Sequence, residues 1–320
     1  MRFYILLFHV GPHHEYNVFA PLATKSFLTY NRDERRCLMD SNEPEILYHY
    51  TDFAALDGIL AHAQLRLNNV LNMNDASEMN LFMHSICKSI TDAFNSEGRP
   101  DKAGLTLRIF MREQSERFSY SSYAACFSRF RDDASQWERY GNQGKGVCIA
   151  FDGRLLSRMA TGGLSIHPVI YQDSVPGHRL ADELHDIINE SDITDPAALP
   201  PDLRETLNRA WETSAVYKHP SFSSENEVRL LISPFEHGFM DVLPEYHISK
   251  ERIKKYYPVN LREKCAAVGA AMEDLVTELV IGPESTQSLP ILKDYLQSLG
   301  FFKLAEHISY SNCPLRRTNR

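Results

Sequence analysis

Glu45-Ile46-Leu47-Tyr48-His49-Tyr50-Thr51-Asp52-Phe53-Ala54-Ala55-Leu56-Asp57-Gly58-Ile59-Leu60 is the stretch on which the fold turns. Glu45 to Tyr50 is rich in aliphatic and aromatic residues and reads as a short strand. Thr51-Asp52 then supplies an N-cap oxygen for a helix from Phe53 to Ala63. Phe53, Leu56, Ile59 and Leu60 recur at helical spacing, so this helix turns one apolar face onto a sheet. Leu65-Arg66-Leu67 follows as a second short strand. A strand, a helix and a strand in such quick succession, with histidine at the first strand's end, predict an α+β chain.

Working outward, the breaker Asn42-Glu43-Pro44 separates this opening from residues 1–43, which read as an N-terminal extension. Residues 44–320 read as one α+β domain. Helical periodicity runs from Ala76 to Phe94 and from Ala103 to Phe118. Strands are expected at Tyr123 to Ser128, Gly146 to Phe151, Leu164 to Tyr171, Glu225 to Ser233, near Tyr256 to Val259, at Leu275 to Ile281 and at Lys303 to Tyr310. Helices are expected at Asp133 to Tyr140 and Glu284 to Leu299. Residues 177–217 are acidic and helical, broken at Asp195-Pro196 and Pro200-Pro201, and read as an insertion.

The 320 residues are 43% hydrophobic and 24% charged, enough apolar material for a sizeable core. A net charge of −8 provides no overall basic field to recruit nucleic acid or an anionic membrane. The apolar start, Phe3 to Val10, is followed by Gly11-Pro12-His13-His14 rather than a small-residue cleavage site. It is also far shorter than the roughly 20 apolar residues of a membrane span. Six cysteines are scattered without a CxxC pair, which fits reduced thiols in a cytoplasmic protein and no zinc site. No HExxH spacing or nucleophile elbow is present, so metal and serine-hydrolase chemistry rank low.

Three segments could carry chemistry. Along Ser224 to Ile232, strand alternation puts Glu225, Glu227 and Arg229 on one face. Paired carboxylates beside an arginine suit a site that bonds sugar hydroxyls and stabilises developing positive charge. The alternative is a solvated face with a cross-strand salt bridge. Tyr48-His49-Tyr50-Thr51 places a histidine at a strand end before a helix N-terminus, a common ligand edge; a satisfied core histidine is the alternative. Ser135 to Gly146 joins an aromatic helix end to a buried strand, with Trp137 and Tyr140 on one helical face as an aromatic wall or as core. Its glycines serve a C-cap and a tight turn rather than a P-loop, because Gly146 follows Lys145. Asn74, Asp75 and Glu78 read as a helix cap, or as groups orienting a ligand from behind.

In order along the chain, Leu47 to Thr51, Asn74-Asp75 with Glu78, Cys126-Phe127-Ser128, Trp137 to Gly141 running into Lys145 to Ile149, Lys218-His219 with Phe222, Glu225 to Leu230, Ile281-Gly282-Pro283 and Ser309 to Arg316 resemble the bacterial domain-of-unknown-function family 2971. The strand-histidine-turn-helix opening also resembles ADP-ribosyltransferase-type folds. That resemblance implies a mixed central sheet with helical insertions and NAD as substrate. It implies that His49, with Tyr50 and Thr51, holds a ribose, that Tyr140 or its rival Trp137 stacks on nicotinamide, and that Glu227 bonds the nicotinamide-ribose hydroxyl. Glu225 would orient the incoming nucleophile, and Arg229 would complete the polar strand face. The implied activity passes ADP-ribose to a protein, nucleic-acid or water acceptor, as in a toxin or phage-defence effector. The alternative is a non-catalytic sensor of the same fold that binds a nucleotide or nucleic acid.

Overall fold

A computed structural model describes residues 46–73, 78–116, 122–233, 244–248 and 252–315. The extension 1–43, the cap at Asn74 and Asp75, and the basic end from Arg316 lie outside them. In chain order the described elements begin with β1 (Ile46–Thr51), α1 (Phe53–Leu60), β2 (Gln64–Asn69), α2 (Glu78–Ser96), α3 (Pro100–Glu116), β3 (Tyr123–Ser128), α4 (Ala134–Arg139) and β4 (Val147–Asp152). They continue with α5 (Gly153–Met159), β5 (Leu164–Pro168), β6 (Ile170–Tyr171), α6 (Arg179–Glu190), α7 (Pro201–Ser214), β7 (Tyr217–Lys218) and β8 (Glu227–Ile232). The last are β9 (Glu245–Ile248), β10 (Ile253–Asn260), α8 (Leu261–Ala267), α9 (Met272–Leu275), β11 (Val276–Ile281), α10 (Leu289–Ser298), α11 (Phe302–Glu306) and β12 (Ile308–Tyr310).

Among the described residues, ten strands form one sheet, ordered β12-β11-β4-β1-β3-β2-β10-β9, with β8 paired to β3 and β5 to β8. It is mixed: β11 and β12 are parallel and the other pairs antiparallel. β8 pairs along the whole of β3. The other edge of β3 is shared, with β1 meeting it at Tyr48↔Ser128 and β2 at Asn68↔Ala124 and Asn69↔Tyr123. The sheet therefore forks between β1 and β2. Residues directly opposite in a ladder point to the same face. One row on one face is thus Glu278, Ala150, Tyr48, Ser128 and Glu227, crossing β11, β4, β1, β3 and β8.

The opposite face carries the main core, in which Leu47, Phe127, Ile149, Phe151, Val228 and Leu279 pack with helical residues such as Leu56, Leu60, Leu156 and Leu296. The opening folds as its sequence predicts. Asp52 caps α1 by accepting from Ala55 N at 2.8 Å, and Leu56, Ile59 and Leu60 are buried.

Several expectations are corrected. Leu164 to Tyr171 is not one strand: β5 pairs with β8, whereas β6 pairs in parallel with β7 as Ile170↔Tyr217 and Tyr171↔Lys218. Lys303 to Tyr310 begins as α11, because Leu304 and Ala305 are buried on one side of a helical turn, and only Ile308–Tyr310 is strand. Segment 177–217 is helical as expected, but Leu184, Ile188, Leu203, Leu207 and Ala210 are completely buried. Its helices α6 and α7 pack with α2 and α3 as a second layer and form the crossover from β6 to β7. No helix among the described residues is long and apolar enough to cross a membrane.

Candidate functional site

Glu225 does not lie on β8. It ends a 3-10 turn, Pro220–Glu225, and Asn226 follows in the left-handed region at φ 43°, ψ 55°, a conformation asparagine tolerates better than most residues. That reversal brings the carboxylates of Glu225 and Glu227 to one ammonium. Lys218 Nζ donates to Glu225 Oε2 at 2.6 Å and to Glu227 Oε2 at 3.2 Å. Ser128 Oγ donates to Glu225 O at 2.9 Å and Arg129 N to Asn226 O at 3.1 Å, which pins the turn to the end of β3.

Arg229 is fully buried and grips Glu227 side-on, Nε to Oε1 at 2.8 Å and Nη2 to Oε2 at 3.1 Å, while Nη1 donates to Ala215 O at 2.6 Å. Burial alone would raise the pKa of Glu227, but the charges of Arg229 and Lys218 outweigh it and lower the carboxyl to about 2. The alternative of a solvated face is therefore corrected: Glu225, Glu227 and Arg229 belong to a buried ionic network. Arg139 Nη1 and Tyr140 Oη complete it, donating to Glu225 Oε1 at 2.8 and 3.0 Å. Burial raises the Tyr140 phenol, so it stays a donor. Arg139 reaches the surface, its side chain 43% exposed. Three cations against two carboxylates leave an excess positive charge, and Arg139 carries it at the solvent end.

Two further residues lie against Glu227. Its backbone N–H donates to Tyr171 Oη at 2.8 Å, and burial pushes the Tyr171 phenol up to about 12. The Cys126 thiol is held well above its ordinary range, first by burial and then by Glu227, and it hydrogen-bonds that carboxylate. Cys126 is partly exposed on the same strand face as Glu227.

The segments of Tyr140 and Glu227 come together here; His49 does not join them directly. His49 follows Tyr48 in β1 and so points to the core face, against Phe127 and Phe151 at ring separations of 5.6 and 6.5 Å. Its Nδ1 donates to Cys126 O at 2.8 Å, filling the fork where β3 has lost its strand partner. Burial lowers the His49 pKa, and the bond to Cys126 partly opposes this, so the ring is neutral with Nε2 as acceptor. Thr51 lies on the same face as His49, at the end of β1.

Tyr50 and Trp137 are core. They meet edge to face at 4.9 Å, and Trp137 is completely buried with Nε1 donating to Asp132 at 2.6 Å. Tyr50 Oη donates to Phe130 O at 2.7 Å and accepts from Asp133 N at 3.1 Å. Trp137 thus exposes no ring face for a ligand to stack on, which leaves the half-buried Tyr140. Lys218, Tyr171 and Arg139 are the members of this network to which the sequence assigned no role. Lys218 stood out only as part of the Lys218-His219 motif. Among the described residues no group of three His, Cys, Asp or Glu could hold a metal ion.

The family described as Protein of unknown function (DUF2971) matches residues 136–230, from α4 through β8, which includes Tyr140, Tyr171, Lys218, Glu225, Glu227 and Arg229. This match supports the assignment to that family. No curated protein and no solved structure matches the chain.

Proposed function

We propose that this site belongs to an NAD-using, ADP-ribosyltransferase-like enzyme that breaks the bond between nicotinamide and ribose and passes ADP-ribose to an acceptor. The observation that carries the reading is the Glu227 carboxylate, buried yet kept ionised, beside the partly exposed Cys126. When the glycosidic C–N bond breaks, its electron pair leaves with nicotinamide and positive charge develops on the ribose. A fixed carboxylate in a surrounding of low dielectric stabilises that charge strongly. The acceptor's nucleophile then bonds to the ribose carbon and loses a proton.

Glu227 also has a replaceable partner. Its 3.2 Å bond from Lys218 is the longest of those it receives from charged groups, so a ribose hydroxyl can take that place while Arg229 keeps the carboxylate oriented. The excess positive charge ending at Arg139 suits a ligand with phosphates. Such an activity in the cytoplasm suits a toxin or a phage-defence effector.

A second reading is a non-catalytic module that binds a nucleotide or nucleic acid. It is favoured by two observations: both oxygens of Glu227 already accept hydrogen bonds, and His49 stands on the other face. Incubating the purified chain with NAD, with and without cell lysate as acceptor, separates the two. Nicotinamide release supports the enzyme. Saturable NAD binding without release, in either condition, supports the module.

A further inference from the structure

We infer that Lys218 is a positioning residue whose shared ammonium bridges Glu225 and Glu227, offsets their mutual repulsion and holds Glu227 Oε2 until substrate takes its place. Its effect on catalysis rests on the enzyme reading above; its effect on the two carboxylates does not.

The two carboxylate oxygens that share one Nζ, at 2.6 and 3.2 Å, lie within about 6 Å of each other. Both side chains are almost fully buried, 3% and 6% exposed. Two buried like charges that close, with no cation between them, hold a proton at a pH where either alone would be ionised. The remaining neighbours do not replace Lys218. Arg229 pairs with Glu227, and Arg139 pairs with Glu225 from the solvent side. Tyr140, Tyr171 and Cys126 are held protonated by burial and add no positive charge. From β5, His167 stands opposite Arg229 rather than between the carboxylates.

The fold is arranged to place this ammonium. Lys218 lies on a two-residue strand that pairs with Tyr171, and the whole α6–α7 crossover separates the two strands. Tyr171 meanwhile accepts from Glu227 N, so both residues of the register pair meet the same glutamate. The ring of Phe222 covers the ammonium, 5.0 Å from Nζ to its centroid. That contact holds the cation in place without offering it a competing anion.

The test is a pH titration of the full chain labelled with carboxyl-13C glutamate, followed by NMR, for wild type, Lys218→Met and Lys218→Arg, with nicotinamide release measured across the same pH range. In wild type and Lys218→Arg, Glu227 does not titrate between about pH 5 and 8. In Lys218→Met, one new carboxyl titration appears in that window, and kcat/KM follows it upward with pH, whereas KM changes little. A loss of kcat that is equal at every pH would mark a merely structural role and overturn the inference. So would the absence of any new carboxyl titration in Lys218→Met. Should Lys218→Met fail to fold, the double variant Lys218→Met/Glu225→Gln, which removes the opposed like charge, is expected to fold; a double variant that also fails overturns the inference. If the new titration appears but no variant, wild type included, releases nicotinamide, the role of Lys218 stands and the enzyme reading falls.

Discussion

His49 and Glu227 stand on opposite faces of the central sheet, yet both are bonded to Cys126, His49 to its carbonyl at 2.8 Å and Glu227 to its thiol. The histidine therefore acts on the site through the backbone of β3. Replacing His49 by Phe leaves the Cys126 carbonyl without its donor, at a cost of about 1–3 kcal/mol. Urea denaturation should show this loss, together with a smaller fall in nicotinamide release than Glu227→Gln produces.

The same two residues set how stability depends on pH. The folded pKa of Glu227 is depressed from 4.5 to about 2, so its contribution is complete above pH 4.5 and is lost as pH falls toward 2. The folded pKa of His49 lies below its ordinary 6.5, so protonation favours the unfolded chain, and its contribution declines as pH falls below 6.5. Thermal melts from pH 8 to 3 should show a decline in two stages. The earlier stage should be absent from His49→Phe and the later one reduced in Glu227→Gln.

Arg229 is predicted to be among the least tolerant positions. Arg229→Met leaves a buried carboxylate held by Lys218 and the Cys126 thiol, and removes the Nη1 donor to the Ala215 carbonyl, a change expected to cost about 3–5 kcal/mol. Denaturant midpoints compared with wild type check this. A loss below about 1 kcal/mol would show that the network relaxes freely.

Gly146 is constrained by a close approach rather than by its φ. A Cβ there would stand 2.0 Å from Thr51 O, so Gly146→Ala forces the start of β4 away from β1. Overpacking of this kind typically costs 1–3 kcal/mol, and a backbone neighbour cannot swing aside, so a loss of about 3 kcal/mol or more is expected. Gly58, with nothing near its Cβ, should accept alanine without loss.

What the sequence revealed was local. The Asp52 cap, the apolar spacing of α1 and the bounds of β3 are all set by residues a few positions apart, and they appear where expected. The site is non-local. Alternation along β1 separates Tyr48 from His49, but only the pairing Tyr48↔Ser128 and Ser128↔Glu227 decides which of them shares a face with the glutamate. Trp137 and Tyr140 looked equivalent because they lie one helical turn apart. Tyr140 is in fact the C-cap of α4, outside the regular helix, which frees its hydroxyl for Glu225 while Trp137 stays in the core. Lys218 and Tyr171 reach Glu227 through a crossover of two helices, and no periodicity encodes that.

The central claim is that Glu227, on the face of Tyr140, is the carboxylate that meets the nicotinamide ribose. A crystal structure of the chain with a non-hydrolysable NAD analogue tests it most directly. The account predicts a ribose hydroxyl bonded to Glu227 Oε2 where Lys218 Nζ now stands, with the nicotinamide ring against Tyr140. An analogue seated on the face of His49, with the Lys218–Glu227 bond intact, would contradict it.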